Sequence, residues 1–307
     1  MSVQYVRQSV PTDGGELAVG VWGETGPLVV AAHGLTSAHM EFVLVGERLG
    51  EDHRFVAPDL RGRGHSRELP GPYGMARHAA DLAAVVEAYG GGPATLVGHS
   101  MGGWVVLETA RQYPLLADRL VLVDGGAPLP VPPGVDGSAG DAAIAMAIEQ
   151  ALGPAFARLS MTFPSAKAYR ELWRAHPSFS DWSDAMDAYA DYDLVGDEPE
   201  LRPACLLAAA LRDAREMYAF PGVEPQAPPA PAVFLRAERG MLDEPAGFYE
   251  REYASAWLPG VSERTVPDVN HYTITLSGRG ADAVAAAVRS AQVGLDREGM
   301  ADSAPDA

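Results

Sequence analysis

The chain has 307 residues, 47% of them hydrophobic, with 41 acidic against 23 basic side chains and a formal net charge of -18. That composition excludes an intrinsically disordered chain and leaves room for one sizeable core, or for two domains. The acid excess argues against nucleic acid, whose phosphates need a basic face, and against anionic membranes.

Residues 3–10 and 16–22 alternate enough to be strands, and Asp13-Gly14-Gly15 between them signals a hairpin. Leu28–Ala32 is a continuous apolar run, as a strand buried on both faces requires. Residues 38–50 have helical spacing, 54–57 form a short strand, and 76–89 form a patterned helix closed by three glycines. An apolar strand at 94–97, a helix to about Tyr113 and a strand at 119–123 follow. This alternation implies right-handed crossovers and a mostly parallel sheet.

A proline-rich tract at 128–134 then breaks the pattern. From Ala142 to about Tyr218 the spacing is helical only, interrupted at Pro154, Pro164, Pro177 and Pro199. A second proline-rich connector, 221–231, leads back to a buried strand at 232–235. About a hundred residues, 128–228, thus read as a helical cap inserted into a core of 1–127 and 229–293. Most of its bulky side chains, Met146, Phe156, Trp173 and Tyr189 among them, are expected to pack its helices together. A helix at 247–257, a strand at Ser262–Val266, a helix at 281–291 and a frayed tail over 294–307 complete the expectation.

The chemistry concentrates at Gly98-His99-Ser100-Met101-Gly102, which fits the G-x-S-x-G nucleophile elbow. Glycines on both sides let a strand turn sharply into a helix and lift the serine hydroxyl into a cleft. A serine hydroxyl is a weak nucleophile and needs a base, which in turn needs an orienting acid. His271 is the one histidine after the last strand, in the loop Pro267-Asp268-Val269-Asn270-His271. The other seven all precede that strand.

These motifs, with His33-Gly34 and Asp59-Leu60-Arg61-Gly62-Arg63-Gly64-His65-Ser66, resemble those of the α/β-hydrolase superfamily, a serine-nucleophile member with a helical cap. The resemblance implies an oxyanion hole from the backbone N–H groups of Leu35 and Met101. It implies the order serine, acid, histidine, and leaves the acid open. Many members carry an aspartate at the end of the strand after the cap. That position here holds Gly240, with Glu238 and Asp243 nearby. Other members place the acid one strand earlier, where this chain has Asp124. Asp124 is the preferred acid, at a strand C-terminus where catalytic groups gather in open α/β folds.

Ser100 argues for acyl transfer on a small apolar ester, lactone or thioester, with Trp104 and Tyr272 as candidate substrate contacts. A C–C hydrolase or perhydrolase, and a ligand-binding protein on the same scaffold, stay open as alternatives. No metal or cofactor is expected, because histidines and carboxylates are not set at ligand spacings. Cys205 is the single cysteine, so no internal disulfide can form. No run approaches about 18 apolar residues. No basic segment followed by an apolar stretch opens the chain, and a cytoplasmic protein is expected.

Overall fold

The computed structural model describes residues 3–130, 146, 153–219 and 222–301. The end of the first proline-rich tract, most of 135–152, Pro221 and the last six tail residues lie outside the described residues. Eight strands form one sheet: β1 (Tyr5–Thr12), β2 (Gly15–Trp22), β3 (Leu28–Ala32), β4 (Arg54–Pro58), β5 (Ala94–His99), β6 (Ala117–Val123), β9 (Ala232–Ala237) and β10 (Ser262–Val266). Their order is β1-β2-β4-β3-β5-β6-β9-β10. β2 runs antiparallel to β1 and β4, and all other neighbours are parallel. β1 is a largely exposed edge strand, so Pro11 is tolerated within it. β5 and the C-terminal parts of β3, β4 and β6 are buried, as their unbroken apolar runs require.

Helices α1 (Val43–Leu49), α2 (Met75–Ala88) and α3 (Met101–Gln112) join the early strands. Between β6 and β9 lie α4 (Gly153–Ala157), α5 (Ala166–Arg174), α6 (Asp184–Tyr192) and α7 (Leu207–Ala214). This segment is not helical only. Leu194–Val195 (β7) pairs antiparallel with Arg202–Pro203 (β8), after Gly196 turns the chain at φ +90°. The segment has its own apolar cluster, built on Phe163, Tyr169, Trp173, Phe179, Met186 and Tyr189 and joined by Leu276. Met146 and Met161 are exposed instead.

Three further expectations change. The helix expected over 247–257 shrinks to α8 (Tyr253–Trp257). A Cβ on Gly247 would sit 2.5 Å from the Ala237 carbonyl, and the Tyr249 carbonyl is taken by Arg236, so the chain runs irregularly there. The last helix, expected at 281–291, starts earlier as α10 (Gly278–Ala301), and a short α9 (Thr273–Leu276) precedes it. α10 thus continues through residues expected as tail, because 292–301 contain no proline and several good helix formers. Among the described residues, no helix is long and apolar enough to cross a membrane.

Candidate active site

β5 passes into α3 through a single residue, Ser100, held at φ 51° and ψ -123°. The sequence permits this because the positions packed closest against the turn, 98, 102 and 125, are glycines. A Cβ on Gly98 would lie 2.3 Å from the Gly102 carbonyl oxygen, and one on Gly102 would lie 1.8 Å from that of Ala32. A Cβ on Gly125 would reach 2.0 Å from the Ser100 carbonyl oxygen. Such a backbone costs a non-glycine residue about 1–3 kcal/mol, and surrounding bonds must hold it. Ser100 N donates to the Val123 carbonyl at 3.0 Å, and Gly103 N donates to the Ser100 carbonyl at 2.9 Å.

Asp124 ends the neighbouring strand β6, also at positive φ (47°), and is fully buried. Its backbone N donates to the Leu235 carbonyl at 2.8 Å, and its Oδ1 accepts from Ala237 N at 3.0 Å. The remaining oxygen, Oδ2, accepts from His271 Nδ1 at 2.7 Å. With the proton on Nδ1, the lone pair of Nε2 faces Ser100 Oγ at 3.0 Å. The structure therefore brings Ser100, His271 and Asp124 into one hydrogen-bonded chain.

The His271 loop is built by Asn270. Its Oδ1 accepts from Tyr272 N and Thr273 N at 3.0 and 2.9 Å. Its Nδ2 donates to the Ser178 carbonyl at 2.9 Å and to Asp243 Oδ1 at 3.0 Å. Asp243 also pairs with Arg239 at 2.8 Å. Asp243 thus braces the residue before His271. Glu238 accepts from Asp268 N at 2.9 Å, bracing the same loop further back. The Phe248 ring lies 4.8 Å from the His271 ring, centroid to centroid.

Leu35 lines the same pocket as Ser100. Met101 opens α3, where the first amides of a helix have no intrahelical acceptor. The loop carrying Leu35 is pinned on several sides. His33 Nδ1 donates to the Gly34 carbonyl at 2.8 Å, while Nε2 accepts from Leu60 N at 2.9 Å. Burial pushes the His33 imidazole down to about 4, so it is neutral, as those two roles demand. Arg63 Nε donates to the Leu35 carbonyl at 3.0 Å.

Ser100 and His271 open on a cavity of about 80 Å³ bounded by Leu35, Phe156, Tyr189, Met217, Phe248 and Tyr272. A second cavity of about 780 Å³, with Arg158, Trp173 and His176 in its wall, shares Thr36, Met241, Phe248 and Tyr272 with the first. Tyr272 therefore does face the site. Trp104 does not line either cavity and packs against the main core, which its helical spacing from Ser100 allows.

Two polar residues at the site escaped the sequence reading. Glu41 and His99 are buried beside His271 and joined at 3.1 Å. They are 58 positions apart. The available hint was a histidine inside the elbow itself, at a position otherwise free to be apolar.

A family model described as alpha/beta hydrolase fold matches residues 27–274. The 2-(acetamidomethylene)succinate hydrolase of Mesorhizobium japonicum is 27% identical over 82% of this chain and 84% of its own length. An uncharacterised protein of Mycobacterium tuberculosis is 33% identical over 33% of this chain, an alignment that spans only 30% of the relative. The crystal structure of an E-2-(acetamidomethylene)succinate hydrolase superposes with a TM-score of 0.71 at 22% identity, covering 93% of this chain and 98% of that one. With the family model matching most of its length, this chain belongs to the alpha/beta hydrolase fold family.

Proposed function

We propose that this protein is a serine hydrolase that cleaves a neutral carboxylic ester, lactone or thioester through an acyl-enzyme. The observation that carries the reading is the bonded series Asp124–His271–Ser100 at the floor of a mainly apolar cavity. His271 Nε2 takes the Ser100 proton as Oγ attacks the acyl carbon. The resulting oxyanion is held by the N–H groups of Leu35 and Met101, a donor of this kind contributing about 3 kcal/mol to the transition state. Asp124 keeps Nδ1 protonated and stabilises the imidazolium. His271 then returns the proton to the departing oxygen or sulfur. Water, deprotonated by His271, releases the acid and restores Ser100.

Charge supports a neutral substrate. Among the described residues, the cavity at Ser100 has no lysine or arginine in its wall. The guanidinium of Arg158, in the adjoining cavity, is engaged by Asp193, the Tyr169 hydroxyl and the Thr36 carbonyl. A succinate carries two carboxylates at neutral pH, so the substrate in the relative's name is poorly matched to this lining. Phe156, Tyr189 and Met217 come from the segment between β6 and β9, which supports a cap that roofs the site and sets substrate size.

Turnover of p-nitrophenyl acetate and longer p-nitrophenyl esters tests the reading. Hydrolysis that disappears in Ser100→Ala is expected. No neutral-ester turnover, with hydrolysis of 2-(acetamidomethylene)succinate instead, would contradict it, and binding without any turnover would mark a ligand-binding protein.

A further inference from the structure

Glu41 and His99 lie between the two loops that the proposed chemistry depends on. Glu41 Oε1 accepts from Gly34 N at 3.1 Å, and its Oε2 lies 3.3 Å from the same amide. His99 Nδ1 faces Glu41 Oε1 at 3.1 Å. His99 Nε2 faces the backbone carbonyl of His271 at 2.8 Å. A carbonyl can only accept, so Nε2 carries a hydrogen. Glu41 is acceptor to Gly34 N, and as a carboxylate it is acceptor to Nδ1 as well. Both ring nitrogens of His99 then donate, which requires an imidazolium.

Burial opposes a charge on either partner, but the pairing outweighs it. It raises His99 above the ordinary histidine value and lowers Glu41 below the ordinary carboxylate value. Asp124 acts on His99 in the same direction as Glu41. The Ser37 hydroxyl also helps to hold Glu41 ionised. The His271 ring is 4.9 Å from that of His99, centroid to centroid.

We propose that Glu41 and His99 are positioning residues: a buried carboxylate–imidazolium bridge that fastens the Gly34 amide, next to Leu35, to the His271 backbone. The oxyanion donor and the general base are thereby held in one frame, although they belong to loops more than 200 residues apart. This rests on the roles assigned above to Leu35 and His271. It does not require His99 or Glu41 to touch the substrate.

The test combines a spectrum with kinetics. Protein with ¹⁵N-labelled histidine should show His99 with both ring nitrogens still protonated at about pH 7.5, where a free imidazole of pKa about 6.5 is mostly neutral. Glu41→Gln keeps the shape. Its amide can donate to Nδ1 while its carbonyl accepts from Gly34 N, so the variant folds and His99 becomes neutral. In that variant the links persist only as weaker, neutral hydrogen bonds, and kcat on a p-nitrophenyl ester should fall about 10-fold with KM nearly constant. His99→Phe severs both links and should cost about 100-fold in kcat, the scale of a misplacement near 1 Å. A His99 that is neutral in the wild-type protein overturns the proposal. So does wild-type kcat in Glu41→Gln together with wild-type kcat in His99→Phe. The spectrum is independent of turnover, so it still decides for or against the bridge if the ester assays fail.

Discussion

Ser100 and Asp124 stand at positive φ at the ends of adjacent parallel strands, and each has a glycine after or around it that no other residue could replace. That is why the elbow was readable: glycine spacing records a backbone constraint directly in the sequence. The proposed acid has a different signal in the sequence. Gly240 removed the common position, and the end of β6 offered the next one. Asp243 is bonded to Asn270 and Arg239, while Asp124 is bonded to His271 itself. Asp124→Asn should therefore lower kcat by about 10⁴-fold, because an amide can hold the wrong imidazole tautomer. Asp243→Asn should cost about 10-fold or less, as loss of one contact to a loop neighbour. Side-by-side rates of the two variants check this, and a reversal of their order would move the acid to the later strand. The Glu41–His99 bridge left no comparable trace. A glutamate at the start of a helical stretch looks like a solvated acid until the fold buries it.

At the scale of elements, what was readable is what burial on both faces writes as continuous apolar runs, namely β3, β5, β6 and β9. The irregular chain over 247–252 was not, because its conformation is set by Arg236 and the Ala237 carbonyl, which are distant in sequence. The β7–β8 hairpin is too short for any alternation to show. One inter-element contact is open to test. Asp213 on α7 pairs with Arg63 at 2.5 Å and with His78 on α2 at 2.9 Å, all three buried. Burial alone would raise the Asp213 carboxyl, but Arg63 and His78 outweigh it and hold it down to about 2. Arg63 also holds the Leu35 carbonyl, so this cluster links α7 to the loop that carries Leu35. Asp213→Asn leaves a buried guanidinium short of its counter-ion and should cost about 3–5 kcal/mol by urea unfolding near neutral pH. In the unfolded chain the carboxyl takes its proton near 3.8, in the native state near 2. The unfolded state therefore binds more protons in that window, and the Asp213 contribution is full above it and is lost as pH falls through it. The gap between wild type and Asp213→Asn should narrow over that range, and a gap that stays constant would refute the pairing.

For the whole molecule, the sheet places every proposed reacting group at its C-terminal edge, and the segment between β6 and β9 completes the wall over them. A tight cavity at Ser100 adjoins a roomier one through Thr36, Met241, Phe248 and Tyr272. Sequence periodicity could not show this, since a side chain packing helices together and one lining a cavity share the same spacing. Met241→Ala, which widens the passage without touching His271, should raise kcat/KM for octanoyl over acetyl esters by about 10-fold, within the range that a few methylenes decide. An unchanged ratio would place the longer acyl group elsewhere. The central claim is that Ser100 becomes covalently bonded to the acyl group, and a fluorophosphonate reports this step without knowledge of the natural substrate. Peptide mapping by mass spectrometry after incubation should find one phosphonyl adduct, on Ser100, that is absent from His271→Ala. An adduct on a different serine, or none on a folded protein that still hydrolyses esters, would contradict the account.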